Sequence, residues 1–366
     1  MRSPPSRPGL RRERGSALLM AMLVVALVAT LASSAYWRQW QAWAVERAER
    51  QRHEAAWVLV GAMDWARLIL REDARASQID HLGEPWSVPL QEARLSDFLN
   101  LDRGGKSAGG PRQEVTQSED LLRQAFLSGT VTDVQGRINL RNLLSADGQG
   151  AGARVTLSPA DVAITQRLFQ LLGLPEPELA LLLRQLPAAW AAAQASTSRT
   201  ADGNDGAASS GSGGPIPPSA PLLPQRFEQL GVLGLSPKTL QALEPHATWL
   251  PERTPLNVNT ASTIALQASM PRLESAQAQR IAAARQQRPF ASLADLSSAL
   301  QAAGMPGHLA NAQSHAVSSR YFRVVGLLRL DEEVFEDRAL LVRNGITVST
   351  VWRTSGREPA HPLTTP

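Results

Sequence analysis

The chain contains no cysteine among its 366 residues, so disulfides and thiolate metal sites are both excluded. That absence alone does not fix the compartment. Histidine is scarce as well. His53, His81, His246, His308, His315 and His361 are scattered, and none falls at an H-x-x-x-H ligand spacing. A G-x-S-x-G elbow, a P-loop and a dinucleotide fingerprint are all missing, so no enzyme is expected. Charge of one sign is also in short supply. The net charge is +4, but five arginines (2, 7, 11, 12 and 14) stand against Glu13 alone in the first fourteen residues, so the remainder is close to neutral. A polybasic surface for nucleic acid is therefore not expected.

What the chain does have is one long uncharged run. Ala17 to Ala35 are nineteen residues without a charge, and at helical rise they span roughly 28 Å, close to the hydrocarbon core of a bilayer. The arginines before the run put the first residues in the cytoplasm by the positive-inside rule, and everything after Tyr36 across the membrane. Tyr36, Trp37, Trp40 and Trp43 suit the headgroup layer. The run is longer than the core of a secretory signal peptide, and only Ala32-Ser33-Ser34-Ala35 offers a small-residue cleavage site, so a retained anchor is expected.

Past the run, apolar residues recur in steps of three and four to about Asp73, including Trp40, Trp43, Leu59, Trp65, Ala66 and Leu70. The other face carries Glu46, Arg47, Arg50, Asp64 and Arg71. One helix of more than fifty residues, half in lipid and half amphipathic, is predicted, its apolar stripe resting on a sheet. Residues 102–111 read as a loop, and Ser128–Leu140 as a hairpin turning at Asp133-Val134-Gln135-Gly136. From Ser158-Pro159 the pattern becomes helical. One helix carries Val162, Leu168, Phe169, Leu171 and Leu172 and ends at Gly173, and a second runs from Pro177 to about Ala193. Residues 195–221 are built of Ser, Gly, Ala and Pro and read as a flexible loop. Further helices start at Ser236-Pro237, at Ala261 behind a cap of Asn259 or Thr260, at Gln279 and at Ser292. Strands return over 320–330, 334–342 and 346–353, with a hairpin signal at Asn344-Gly345 and a disordered tail from Thr354.

The Gly15-Ser16 junction, where the basic stub meets the apolar run, resembles the leaders of the type IV pilin family. The resemblance implies cleavage after Gly15 by a prepilin peptidase and methylation of the new N-terminus, Ser16. That family usually carries Glu at the fifth mature position, where this chain has Met20. A carboxylate inside a bilayer costs a few kcal/mol unless paired. In pilins the resemblance implies that this Glu neutralises the terminal amine of a neighbouring subunit, and Met20 cannot. K-type minor pseudopilins of type II secretion systems typically lack the Glu. Asp133, Gly136, Asn139 and Leu140 also resemble the D-x-x-G-x-x-N-L segment of that family, and Asn142-Leu143-Leu144 continues the match.

Residues 226–318 resemble both the helical domain of that family and the helix-hairpin-helix module of membrane-anchored DNA-uptake receptors, the latter through Asn257-Val258-Asn259-Thr260-Ala261 and Arg285 to Phe290. A DNA-binding hairpin presents bare amides on a Gly-hydrophobe-Gly turn. The matching turn here, Met270-Pro271-Arg272-Leu273-Glu274, has no glycine and loses one amide to proline. Asn257 and Asn259 are therefore read as organising a turn, and nucleic acid is not expected. The resemblance implies an Asp-Trp-Ile-Asp-rich stretch followed by an acidic, Gly-containing segment in a domain where known K-type members bind calcium, but this chain reads Pro187-Ala188-Ala189-Trp190 there. Asp202, Asn204 and Asp205 are the remaining candidates, too few for the six to eight oxygens calcium takes, so no metal and no cofactor is expected. Calcium at the Asp133 turn is likewise not expected, because Asp in a turn bonds its own backbone.

The fold implied is α+β and pilin-like, a long N-terminal transmembrane helix on an antiparallel sheet with an inserted all-α domain. Its expected parts are leader 1–15, transmembrane helix 16–36, pilin-like parts 37–153 and 319–353, helical insertion 154–318 and tail 354–366. The resemblance implies a minor pseudopilin at the pseudopilus tip, held in the inner membrane with its C-terminal domains periplasmic. Its expected partners are minor pseudopilins I and J and other pseudopilins. Two alternatives are a DNA-uptake receptor and a minor pilin of a type IV pilus.

Overall fold

The structure, a computed structural model, describes residues 16–96, 125–147, 154–201, 221–305, 310–330 and 333–359. The chain divides into two compact units, Met1–Val58 and Leu59–Pro366. Helix α1, Ser16–Ala76, begins in the first. There Leu19, Val25, Leu31 and Trp43 are all more than half exposed. Among the described residues this is the one helix long and apolar enough to cross a membrane. Two of its hydroxyls are satisfied internally. Thr30 Oγ1 donates to Leu27 O and Ser34 Oγ to Leu31 O, each at 2.8 Å, so neither needs water.

From Leu59 onward α1 buries Leu59, Met63, Ala66 and Leu70, an i, i+4, i+7, i+11 row. The helix runs to Ala76 rather than Asp73. Trp65, expected in the stripe, is 41% exposed. It sits about 200° round the helix from Met63, which holds the buried face instead.

A 3-10 turn at Pro85–Ser87 precedes β1 (Leu90–Arg94) and β2 (Ala125–Asp133). Short strands β3 (Ile138–Asn139), β4 (Leu144–Asp147) and β5 (Arg154–Leu157) lead into helices α2 (Pro159–Leu172) and α3 (Glu176–Ala201). Next come α4 (Pro237–Leu243), β6 (Ala247–Thr248), β7 (Leu256–Asn257), α5 (Thr263–Ser269), α6 (Ser275–Gln287), α7 (Leu293–Ala302) and β8 (His315–Ala316). The chain then forms β9 (Tyr321–Leu330), β10 (Glu333–Asn344) and β11 (Thr347–Pro359). One five-stranded sheet, β1-β2-β9-β10-β11, is antiparallel throughout. Met63, Ala66 and Leu70 of α1 join Phe322, Val324, Ala339, Leu341 and Trp86 in its core. Trp86 meets the Phe322 ring edge-on at 5.3 Å, and a buried aromatic of this size is worth roughly 1.5–3 kcal/mol.

β2 and β9 are neighbours, with Asp133 opposite Phe322. Residues 134–320 therefore leave the sheet and return to it at the same end. They build their own core, in which Leu168, Leu182, Leu230, Leu266, Leu296 and Leu300 are fully buried. Ile138, Leu140, Leu143 and Leu144 belong to that core too. The inserted body thus begins at 134 rather than the expected 154. It is mostly but not wholly helical, because β3 pairs with β6 and β7 with β8, both in parallel.

Several local expectations need correction. Asp133–Gly136 is no hairpin. β2 pairs with β1 and β9, and Val134–Gly136 is a 3-10 turn carrying the chain off the sheet. α3 continues to Ala201, through the first residues expected to be a loop, as an extension of the alanine-rich turns at 188–193 before them. Ser262, not Asn259 or Thr260, caps α5, and α6 starts at Ser275, four residues before Gln279. Leu171 is 45% exposed rather than part of the apolar face. β11 extends to Pro359, beyond Thr354, because it stays paired with β10 as far as Glu333, and Arg353 and Ser355 also bond buried Asp337 on that strand. In the β10–β11 hairpin the two-residue loop is Gly345-Ile346, one position after the expected pair, and Gly345 supplies the positive φ of 59°. Residues 102–111, Gly15, Asp202, Asn204 and Asp205 lie outside the described residues.

Candidate functional site

The sequence motifs converge where the inserted body meets the sheet. Asp133, at the end of β2, is buried and caps the following turn by accepting from Gln135 N at 2.7 Å. Its other oxygen, Oδ2, accepts from Asn257 Nδ2 at 3.0 Å, Thr260 Oγ1 at 2.5 Å and Ser319 Oγ at 2.7 Å. Burial pushes this carboxyl up, and the bonds from Thr260, Ser319 and Gln135 oppose the shift. Asn257 is fully buried. Its Nδ2 also donates to Asp80 O at 3.0 Å, and its Oδ1 accepts from Asn259 N at 3.0 Å. Asn259 in turn bridges to Phe290, donating to its carbonyl and accepting from its N–H, both at 3.0 Å.

Gly136 explains its own place in the motif. A Cβ there would lie 2.6 Å from Thr260 Oγ1 and 3.0 Å from the Thr260 backbone. Asn139 closes the loop on the insertion side. Its Nδ2 donates to Glu252 O at 2.7 Å and Thr254 Oγ1 at 3.0 Å, and its Oδ1 accepts from Arg141 N and Leu250 N. Asn142 exchanges two bonds with the Thr254 backbone.

A second layer, which the sequence did not flag, ties this junction to α1. Arg343 on β10 donates to Asp73 at 2.7 Å, to Asp80 at 2.5 Å and to Ser319 O at 3.1 Å. Asp80 accepts from Ser319 N at 2.7 Å. All three charged side chains are less than a tenth exposed, and breaking such a buried pair costs about 3–5 kcal/mol. Glu84 lies alongside, accepting from Trp86 Nε1 at 2.7 Å and His81 N at 3.0 Å. Asp73 is pushed up to about 6, first by burial and then by the charge of Glu84, with Arg343 acting against both. Asp73, Asp80 and Glu84 are the one trio among the described residues close enough to share a metal ion, but the Arg343 guanidinium already bonds two of them as their cation. No motif announces these four residues, since Arg343 is separated by more than 250 positions from its partners on α1 and after it.

On the helix after the turn that resembled a DNA-binding hairpin, Arg285 is half-buried and its Nη1 donates to Val258 O at 2.5 Å, while Arg280 is exposed and its Nη1 reaches Ala303 O at 3.5 Å. At the α6 start, Gln277 Oε1 accepts from Glu274 N at 3.0 Å. In the turn itself Arg272 takes a φ of 67°, a conformation that favours glycine. These contacts account for the Asn257–Ala261 motif as a structural joint. Pro187–Trp190 lies within α3 and buries Ala189.

Two family models, each described as type II secretion system protein K, match residues 136–252 and 256–318. The chain belongs to that family. The matched stretches run from the first turn of the insertion to the edge of β9. A curated type II secretion system protein K from Pseudomonas aeruginosa is 28% identical over 352 residues, covering 94% of this chain and 90% of the relative. A chain of the crystal structure of the GspK-GspI-GspJ complex from enterotoxigenic Escherichia coli superposes with a TM-score of 0.54 at 19% identity, covering 85% of this chain and 98% of that one. The fold is thus the α+β, pilin-like arrangement of protein K, and the chain is a minor pseudopilin with one apolar N-terminal helix fit to anchor it in a membrane.

Proposed function

We propose that this minor pseudopilin caps the tip of the type II secretion pseudopilus, bound there to minor pseudopilins I and J. In that role it serves protein export across the outer membrane by starting or limiting pseudopilus assembly. A prepilin peptidase removes residues 1–15 after Gly15, Ser16 becomes the methylated N-terminus, and Ala17–Ala35 hold the subunit in the inner membrane. The N-terminus is cytoplasmic and the C-terminal domains periplasmic, a reading supported by the five arginines before the apolar run.

The observation that carries the reading is the insertion itself. Residues 134–320 hang between two neighbouring strands and are tied to the C-terminal end of α1 through Asp80 and Arg343. That bulk denies a seat to a subunit arriving above. Met20 supports the same end, since it offers no carboxylate to the terminal amine of a further subunit. The chain's role is assembly rather than catalysis. It takes no calcium at Asp202, Asn204 and Asp205, and tight calcium binding lost in Asp202→Ala would overturn that point.

The test is co-purification of the full chain from detergent extracts with minor pseudopilins I and J. A stoichiometric complex whose K-type chain begins at methylated Ser16 is expected. Failure to associate, or a first residue beyond Ala35, would overturn the reading.

A further inference from the structure

A small recess of about 30 Å³ lies where the turn after β2, the segment before α4 and strand β9 meet, and three arginines line it: Arg137, Arg226 and Arg323. Like charges gathered in a partly desolvated place are costly unless a counter-charge sits among them. Glu244 and Glu228 also line the recess, but both are exposed to solvent.

The hydrogen bonding is incomplete. Arg323 Nη1 donates to Glu244 at 3.0 Å, while its Nε–H is buried with no acceptor among the described residues. Among the described residues the Arg137 guanidinium makes no ion pair, though it is half-buried. Burial, with the facing charge of Arg323, lowers Arg137 to about 10. Arg226 is anchored for recognition. It donates to Thr354 Oγ1 at 2.6 Å and lies 4.9 Å over the Trp352 ring. A buried donor left without an acceptor costs about 1–3 kcal/mol, and guanidinium forks are suited to oxyanions.

We propose that this recess is a binding site for a small tetrahedral oxyanion, phosphate or sulfate, held between Arg137 and Arg323 with Arg226 at its rim. Such an ion accepts from the orphaned Arg323 Nε–H and from Arg137 together, and its double negative charge separates two cations that otherwise repel. A planar monoanionic carboxylate offers half the charge and no third direction for Arg226. The occupied site would fasten the insertion to the sheet, because Arg137 and Arg226 belong to the inserted body and Arg323 to β9.

The experiment is thermal unfolding of the full chain in detergent micelles, titrated with sodium phosphate and with sodium sulfate against sodium chloride at matched ionic strength. A saturable rise in Tm of a few degrees is expected with either oxyanion and not with chloride. Arg137→Gln should unfold no earlier than the parent in chloride, since it removes a repulsion, yet lose at least about tenfold in phosphate affinity. Arg137→Lys should keep part of the response. The proposal is overturned by an absent or unsaturable shift, by a shift that persists unchanged in Arg137→Gln, or by an equal shift with sodium acetate. Arg323→Gln is a poorer probe, because it also breaks the Glu244 pair.

Discussion

Replacing Asn257 by alanine removes one amide that serves the whole joint between sheet and insertion. The side chain is fully buried, donates toward Asp133, Ser319 and the Asp80 carbonyl, and accepts from Asn259 N–H. Asp133 keeps its bonds from Thr260 and Ser319, so its loss is partial. The Asn259 N–H and the Asp80 carbonyl lose a partner that nothing else nearby replaces. Two orphaned buried groups at about 1–3 kcal/mol each come to roughly 4 kcal/mol. That is a large share of the ~5–15 kcal/mol that holds a domain folded. Tm should fall by roughly 10 °C. The assay is urea and thermal unfolding of the full chain in detergent, followed by circular dichroism, with no nucleic acid or other ligand present. If these asparagines existed to bind a ligand rather than to join two bodies, stability would hold. A change below about 1 kcal/mol would refute the structural role.

Three further outcomes follow from the same geometry. Gly136→Val should destabilise by at least about 2 kcal/mol, because the added carbon meets Thr260 Oγ1 at 2.6 Å and the Thr260 backbone at 3.0 Å, and a neutral result in urea unfolding would contradict the close approach. Asp73 binds its proton more tightly when folded, about 6 against 3.8, so its contribution is fully present below about pH 4 and is lost as pH rises through 6; the loss amounts to about 3 kcal/mol. Asp73→Asn should flatten the stability curve across that window, and two parallel curves would contradict the assignment. Met20→Glu should leave export intact if the cap is steric, as read by secretion of a reporter substrate, whereas loss of tip location in that variant would make residue 20 itself decisive.

Much of this architecture was legible in the sequence because it is written in local patterns. The uncharged run from Ala17 to Ala35, the Ser158-Pro159 and Ser236-Pro237 helix starts, and the alternation in β9 each follow from neighbouring residues alone. Asp133, Gly136, Asn139, Asn257 and Asn259 stood out by resemblance, and the structure brings them into one joint. What stayed hidden was long-range. Val134–Gly136 looked like a hairpin because turn residues do not say which strand follows in space. The Asp73–Arg343–Asp80 layer had no signal at all, since ordinary charged residues became buried partners only once α1 met β10. Trp65 misled because a large apolar residue at helical spacing carries no mark of which side of the stripe it flanks.

The central claim is that the inserted body ends the filament. The chain has no cysteine, so a single cysteine introduced at exposed Gln241 on α4 offers one attachment point for a gold label. Electron microscopy of labelled pseudopili should find one particle at one end of each filament, and particles repeating along the shaft would contradict the account.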